Sequence, residues 1–338
     1  MGFIVAVAGA TGLVGRAMIK VLEDRNFPVD DLILLASKRS EGQELEFQRK
    51  KYKVRELKED SFKDADIALF SAGGEISIRF APLAAKSGCI VIDNSSAWRM
   101  DENVPLVVPE VNAYALKGHK GIIANPNCST IQLVVALKPL KDRYGLKRVV
   151  CSTYQSISGA GQKGLDQLLR EMKGTPPKEA PPKHMIAHNL MFHPLSDNNG
   201  FTVEEKKMYD ETRRILDLPD MKIAITCVRL PFLAGHAEAV NIELESDFDI
   251  MEIRPLLEKS DGIVVADDME NDEYPTPRSV AGTDHVYIGR IHRDWSVPHG
   301  LYLWVVADNL RKGAATNAVQ IAEKLIGSGL LEYNAGDF

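Results

Sequence analysis

An all-apolar strand, a glycine turn and an amphipathic helix stand in that order at the start of this chain, and together they restrict its fold more than any other stretch. Phe3–Ala8 carries no polar side chain, as a parallel strand covered on both faces requires. Gly9-Ala10-Thr11-Gly12-Leu13-Val14-Gly15 follows with G-x-x-G-x-x-G spacing. Leu13–Asp24 then sets Val14, Ala17, Met18, Val21 and Leu22 on one helical stripe. Glycines at such a turn let the backbone approach a pyrophosphate, whose charge meets the helix N-terminus. A tight βα turn that binds nothing would use the same residues. Met1–Ala8 is apolar enough to suggest a signal segment, but no basic residue precedes it and a glycine turn follows at once, so it reads as a buried strand.

The βα alternation continues through the first half. Strands are predicted at Leu32–Ala36, Val54–Leu57, Ile67–Ser71, Cys89–Ile92, Leu106–Val108 and Ile122–Ala124, with a helix over Ile76–Lys86. Repeated units of this kind make a doubly wound parallel sheet. The second half changes character: Arg148–Tyr154, Lys222–Leu230, Ala239–Leu244 and Tyr302–Val306 read as longer strands that follow one another, which predicts an α+β domain with a mostly antiparallel sheet. Between Gly174 and Gly200, Pro176, Pro177, Pro181 and Pro182 forbid regular pairing and predict a long loop or arm. Gly313–Ile326 reads as an amphipathic helix. At 338 residues the chain is long enough for two domains. The boundaries follow: 1–127 for a nucleotide-binding domain onto which 313–338 packs back, and 128–312 for the second.

Bulk charge excludes some functions. The net charge is −6 and no basic stripe stands out, so nucleic acid is not an expected partner. No apolar run is long enough to span a bilayer, so no membrane is expected either. Cys89, Cys128, Cys151 and Cys227 are widely spaced, which argues against a zinc site or a disulfide framework and fits a reducing cytoplasm. Cys89 and Cys227 fall in strands and read as inert.

Cys128 is different. In Asn125-Pro126-Asn127-Cys128-Ser129-Thr130 it stands where the apolar helix Ile131–Leu137 begins, with Asn127 or Cys128 at the cap. A thiol there meets the positive end of the helix dipole and unpaired N–H groups, both of which favour the reactive thiolate. A small buried hydrophobe is the alternative. After the second strand, Ala36-Ser37-Lys38-Arg39-Ser40 offers hydroxyls and cations where an NAD site would place a carboxylate, so a 2′-phosphate, hence NADP, is the expected ligand. Tyr154–Gly161 is a Gly- and Ser-rich turn that can approach a ligand. In Arg229–His236, a guanidinium able to hold a carboxylate stands seven residues before a histidine able to act as acid or base. His119, His184, His188, His193, His285, His292 and His299 have no comparable setting. Thr202 and Glu205 form a capping box, whereas Glu204 and Lys207 share one side of the same helix, facing substrate or solvent. Trp98-Arg99, after Asn94-Ser95-Ser96, carries no assignment alone.

Taken together these segments resemble the aspartate-semialdehyde dehydrogenase family, of the bacterial type, over essentially the whole chain. Ten elements match in family order: GATGLVG (9–15), ASKRS (36–40), SAGG (71–74), DNSSAWRM (93–100), VPEVN (108–112), NPNCST (125–130), TYQSISGAG (153–161), the EExK-like helix start (204–207), RLPFLAGHAE (229–238) and VADNLRKGAATN (306–317). The resemblance implies a Rossmann-type domain plus an α+β catalytic and dimerisation domain, glyceraldehyde-phosphate-dehydrogenase-like. It makes Cys128 the nucleophile, His236 the acid/base and Gln155 a substrate-orienting amide. Arg229 and Glu204 would hold the amino acid's carboxylate and ammonium, Arg99 and Lys207 the phosphate, with Asn127 beside the substrate. Gly9, Thr11, Gly12, Leu13, Val14, Ser37, Arg39, Ser40, Ser158, Gly159 and Asn309 would touch NADP. The register of the acidic helix start stays open between Glu204/Lys207 and Glu205/Lys206, because Lys206 stands where the family pattern is apolar; the three-residue spacing favours the former. The implied partners are aspartyl phosphate, aspartate semialdehyde, phosphate and a second copy of the chain, with a tetramer as the larger option. The implied place is cytoplasmic biosynthesis of lysine (through diaminopimelate), threonine and methionine. N-acetyl-glutamyl-phosphate reductase is the alternative, with the same chemistry on an acetylated amine.

Overall fold

In the computed structural model, which describes residues 2–175, 185–196 and 199–331, the chain falls into two compact units, one within Met1–Asn127 and Ala314–Phe338 and one within Cys128–Gly313. The first unit runs β1 (Phe3–Ala8), α1 (Leu13–Asp24), β2 (Val29–Ala36), β3 (Glu44–Phe47), β4 (Lys50–Lys53), β5 (Arg55–Glu56), β6 (Ile67–Phe70), α2 (Gly74–Lys86), β7 (Ile90–Asp93), α3 (Pro109–Asn112) and β8 (Ile122–Ala124). Six strands form one sheet in the order β5-β2-β1-β6-β7-β8, every pair parallel. Both faces of β1 are covered, which is why it carries no polar residue. Phe3, Val5 and Val7 pack with Met18 and Leu22 of α1 and with Val319 and Leu325 near the C-terminus. Ala6 and Ala8 pack with Phe80, Ala81 and Ala84 of α2. Truncating one such side chain, Leu22→Ala for instance, costs about 2–5 kcal/mol.

Two expectations in this unit change. Leu106–Val108 makes only a single parallel bridge, Leu106 to Ala124, because Pro109 lacks an N–H and starts a helical turn instead. The hairpin β3–β4 was not expected; its strands have four residues each, and the alternation Glu44-Leu45-Glu46-Phe47, which sets Leu45 and Phe47 against the core, is too short to mark a strand.

The second unit runs α4 (Cys128–Tyr144), β9 (Leu146–Gln155), α5 (Gly161–Met172), β10 (Met191–Phe192), α6 (Val203–Leu216), β11 (Lys222–Arg229), β12 (His236–Leu244), α7 (Ile250–Glu258), β13 (Ile263–Val265), β14 (Val286–Asp294) and β15 (Gly300–Ala307). Its sheet has the order β10-β11-β9-β12-β15-β14-β13. The β9–β11 and β13–β14 pairs are parallel and the other four antiparallel, as an α+β reading expects. Helix α4 lies against this sheet and is buried without a break from Ser129 to Leu137, so it is covered all round rather than on one stripe. Helices α5 and α7 were not anticipated.

The expected C-terminal helix begins later than its pattern suggested. A π turn occupies Arg311–Ala315, and α8 runs Thr316–Gly327. Residues 332–338 of that expectation, and Pro176, Pro177, Pro181, Pro182 and His184 of the proline-rich segment, lie outside the described residues. Among the described residues no helix is long and apolar enough to cross a membrane.

Candidate active site

In the first unit the strand order reverses between β1 and β6, and a crevice opens past their carboxyl ends, where such sheets bind ligands. A cleft of about 410 Å³ lies there, lined by Gly9, Thr11 and Gly12 after β1, Ser37 and Lys38 after β2, and Ser71 and Ala72 after β6. The glycines are needed. Gly9 has φ +85°, and a Cβ on it would stand 2.7 Å from the Ser71 carbonyl oxygen. A Cβ on Gly15 would stand 2.2 Å from the Gly9 oxygen, so only glycine lets α1 start so close to the turn. No side chain caps α1. Its first N–H groups thus face the cleft end with the positive dipole, which suits a pyrophosphate.

Of the other residues expected at a cofactor, Ser40 is buried and its hydroxyl accepts from Thr11 Oγ1 at 3.3 Å, whereas Arg39 is exposed. Leu13, Val14, Arg39 and Ser40 do not line the cleft itself. Two charged residues that sequence reasoning passed over do line it: Arg79 on α2 and Glu56 on β5. In the same unit Arg99 is buried, its guanidinium donating to the Asn125 oxygen at 3.0 Å and the Asn94 oxygen at 2.9 Å. Asn125 is itself held by Asn317, whose amide donates to its side-chain oxygen at 2.7 Å. Asn127, also buried, ends this unit.

The second unit begins with Cys128 as the first residue of α4, partly exposed. Gly313 approaches it so closely that a Cβ there would stand 2.9 Å from the Cys128 Cβ. Across the sheet, Arg229 on β11, Gln155 on β9 and His236 on β12 stand directly opposite one another. Residues in register on neighbouring strands share a face, so three expected site residues form one row. Gln155 Nε2 donates to Ser129 Oγ at 3.0 Å and to Glu204 Oε1 at 3.4 Å. Glu204 also faces the Lys207 ammonium at 3.3 Å. Glu205 is used otherwise: its carboxylate accepts from the Thr202 N–H at 2.8 Å, closing the capping box, and from the Cys227 N–H at 3.0 Å. Lys206 turns outward to Asp210.

Arg229 donates from Nη1 to the Ser156 oxygen at 2.8 Å. Burial holds its guanidinium below its usual range, and the charges of Glu204 and Cys128 pull it back up. His236 is wholly buried, and desolvation pushes its pKa down to about 3, opposed by the Gly235 carbonyl. Its Nδ1 has both the Ser156 N–H, at 3.1 Å, and the Gly235 oxygen, at 3.0 Å, within reach. Either neutral tautomer can therefore be held. With the proton on Nδ1, Nε2 keeps its lone pair, and Nε2 has no partner among the described residues. Asn309 Oδ1 accepts from the Gly235 N–H at 2.9 Å and from Ser158 Oγ at 3.2 Å, which fixes the turn before His236. Gly159 leaves room beside the row: a Cβ there would meet Arg229 Nη1 at 2.9 Å and His236 Nε2 at 3.5 Å.

Sequence reasoning missed one member of this cluster. His193 stands with Nδ1 3.5 Å from Arg229 Nη2, and burial pushes its pKa down to about 4. Its only local sign was the short apolar run Leu190–Phe192 ahead of it, too brief to mark a strand. The other three cysteines are buried, and burial pushes their thiols up, Cys89 to about 12.

The chain matches the family model of the semialdehyde dehydrogenase NAD binding domain over residues 4–119 and that of the semialdehyde dehydrogenase dimerisation domain over residues 137–312. An aspartate-semialdehyde dehydrogenase of Aquifex aeolicus is 53% identical over 340 residues, covering 98% of this chain and 100% of the relative. The chain belongs to the aspartate-semialdehyde dehydrogenase family. A Bacillus subtilis member is 49% identical, with 96% of this chain and 97% of the relative covered. Among solved family structures, the crystal structure of aspartate semialdehyde dehydrogenase II from Vibrio cholerae complexed with ASA superposes with a TM-score of 0.91 at 47% identity, covering 97% of this chain and 99% of that one. Family membership makes the chain an oxidoreductase with a dinucleotide-binding domain and a dimerisation domain.

Proposed function

We propose that the chain reduces L-4-aspartyl phosphate to L-aspartate 4-semialdehyde with NADPH, releasing phosphate, through a thioester on Cys128, as a cytoplasmic homodimer in amino-acid biosynthesis. The observation that carries the reading is the row Arg229–Gln155–His236 on one sheet face, with Glu204 touching Gln155, in the unit that opens with Cys128.

Cys128 at the first position of α4 attacks the acyl carbon; the C–S bond forms, the C–O bond to phosphate breaks, and inorganic phosphate leaves. His236, kept neutral by burial, offers the lone pair of Nε2 as the acceptor of the thiol proton and later holds a proton at the substrate oxygen. N–H groups at the start of α4 receive the oxyanion. When bound, NADPH would supply the hydride that reduces the thioester; Cys128 then leaves as thiolate when the C–S bond breaks, and the aldehyde is freed. Gln155, anchored by Ser129, orients the acyl group. Arg229 holds the α-carboxylate and Glu204 the ammonium; Lys207 and Arg99, with Asn127, serve the phosphate and substrate side.

The Gly9–Gly15 turn and the uncapped start of α1 fit a pyrophosphate, and Thr11, Ser37, Arg39 and Ser40 fit a 2′-phosphate, which favours NADP over NAD. Leu13 and Val14 would reach the cofactor through the backbone, and Ser158, Gly159 and Asn309 would serve its nicotinamide side. The nucleotide-binding role goes to 1–127 with the C-terminal helix, and the catalytic and dimerising role to 128–312. A buried carboxylate beside the row suits a free ammonium; the acetylated amine of N-acetyl-glutamyl phosphate carries no charge for Glu204 to meet. NADPH formation from aspartate semialdehyde, phosphate and NADP⁺ tests the reading, with Cys128→Ala alongside. Phosphate-dependent turnover that vanishes in the variant, with NADP binding retained, is expected. Turnover surviving in Cys128→Ala sinks the nucleophile assignment.

A further inference from the structure

The cleft of the first unit has a wall that the pyrophosphate and the 2′-phosphate leave unused. Its strands run parallel in the order β5-β2-β1-β6, so their carboxyl ends form a line. Gly9 and Gly12 follow β1, Ser37 and Lys38 follow β2, and Glu56 and Leu57 stand at the end of β5. β5 is tied to β2 there: Glu56 lies opposite Ala36, and the Leu57 N–H donates to the Ala36 oxygen at 2.9 Å. A dinucleotide has the same order of parts: pyrophosphate, ribose, base. With the pyrophosphate over β1 and the ribose phosphate over β2, the base falls over β5.

The lining at that end suits a flat ring. Ile76, Arg79 and Phe80 of α2 are spaced i, i+3, i+4, so they present one stripe to the cleft, with Ala36 and Leu57 beside them. Leu57 and Ile76 pack on the same core cluster as Phe80 and stay only partly buried. The Arg79 guanidinium lies 4.9 Å from the Phe80 ring centroid and pairs with Glu59 at 3.1 Å. A guanidinium plane stacks well on a purine face.

Glu56 is the odd member. A carboxylate in a cleft for a polyanion repels it, and the exposed Lys58 ammonium, 3.4 Å from Oε2, offsets that charge only in part. Such a group fits when the ligand brings a donor to it. Beyond the ribose, the 6-amino group of adenine is that donor.

We propose, on the dinucleotide reading of this cleft, that Glu56 selects the base of the cofactor: its carboxylate accepts from the 6-amino group of an adenine ring held against Leu57 and Ile76 and covered by Arg79. The contact is the same for NADP and NAD. Hypoxanthine carries a 6-oxo group instead, and there an acceptor would face an acceptor.

Calorimetric titration of the full chain carries the test, with NADP, NAD and the hypoxanthine analogue of each. The native protein should bind an adenine form about tenfold tighter than its hypoxanthine partner. Equal affinity within a pair overturns the proposal with no variant needed, and leaves the dinucleotide site standing. Binding of none of these overturns the dinucleotide reading and the proposal with it. Glu56→Gln, whose amide can donate to a 6-oxo group as well as accept from an amino group, should bring the two forms within about twofold. Both forms weakened with the tenfold ratio kept would put Glu56 on the ribose, and both strengthened equally would make it a repelling charge only; either result overturns the proposal. Arg79→Met should weaken adenine and hypoxanthine forms alike, about fivefold, because stacking does not read the 6-position. Native affinities in Arg79→Met overturn the cover assigned to Arg79.

Discussion

The two units build their sites from different materials. The first makes its cleft from backbone: glycines at fixed positions, a helix start with no capping side chain, and strand ends at a switch point. The second makes its cluster from side chains on one sheet face, several of them buried and titratable. A backbone cradle tolerates many sequences so long as nothing intrudes. A side-chain row tolerates few, since each member loses a partner when its neighbour changes.

That contrast is sharpest at two glycines. Gly9→Ala puts a Cβ against Ser71 at a positive φ, so the first unit should lose dinucleotide affinity about a hundredfold while Cys128 still alkylates at its native rate. Gly313→Ala puts a Cβ against Cys128; kcat should fall by a comparable factor, about a hundredfold, with dinucleotide affinity unchanged. Titration of the cofactor by fluorescence and steady-state kinetics read the two effects separately. Identical losses in both assays for both variants would erase the distinction.

Adjacent acids give the next largest difference. Glu204 faces Gln155 and Lys207, whereas Glu205 closes the capping box. Glu204→Gln should raise KM for the amino-acid substrate some tens of times, as a buried charge partner is lost, with little change in melting temperature. Glu205→Gln should leave KM near native and cost about 1–2 kcal/mol of stability. The reverse pattern would move the substrate contact to Glu205.

How much of this was legible follows from the range of each signal. The glycine turn, α1 and the thiol at the start of α4 were readable because each depends on neighbours a few residues away. The capping box was readable for the same reason: Thr202 and Glu205 are three apart. The row Arg229–Gln155–His236 was not readable from the residues alone, because it exists only through the register of three strands that are far apart in sequence. His193 was invisible for that reason too; it gains its meaning from Arg229 on β11. The π turn at Arg311–Ala315 erased the start of an otherwise regular helical pattern, and it brings Gly313 against Cys128.

The loop after β2 belongs to the backbone-built unit but contributes a side chain. Arg39 is exposed and Ser40 is buried against Thr11. If Arg39 meets the 2′-phosphate, as proposed, Arg39→Leu should weaken NADP about tenfold and leave NAD unchanged. Equal weakening of both cofactors, measured by competition, would place Arg39 at the pyrophosphate instead.

The smallest expected effect is on stability against pH. In the second unit His236 is held down at about 3 and His193 at about 4, both by burial, against an ordinary 6.5. Between those values the unfolded chain binds protons that the folded chain refuses, so stability falls as pH drops from 6.5 toward 3. Glu238 pulls the other way: burial raises its pKa, so its contribution is present in acid and fades as pH rises. Melting curves should therefore decline below pH 6.5, and His193→Gln, which cannot titrate, should decline less steeply between 6.5 and 4. An unchanged slope in His193→Gln would mean that the imidazole titrates in the folded chain as it does in the unfolded one, so that its burial beside Arg229 does not hold it neutral.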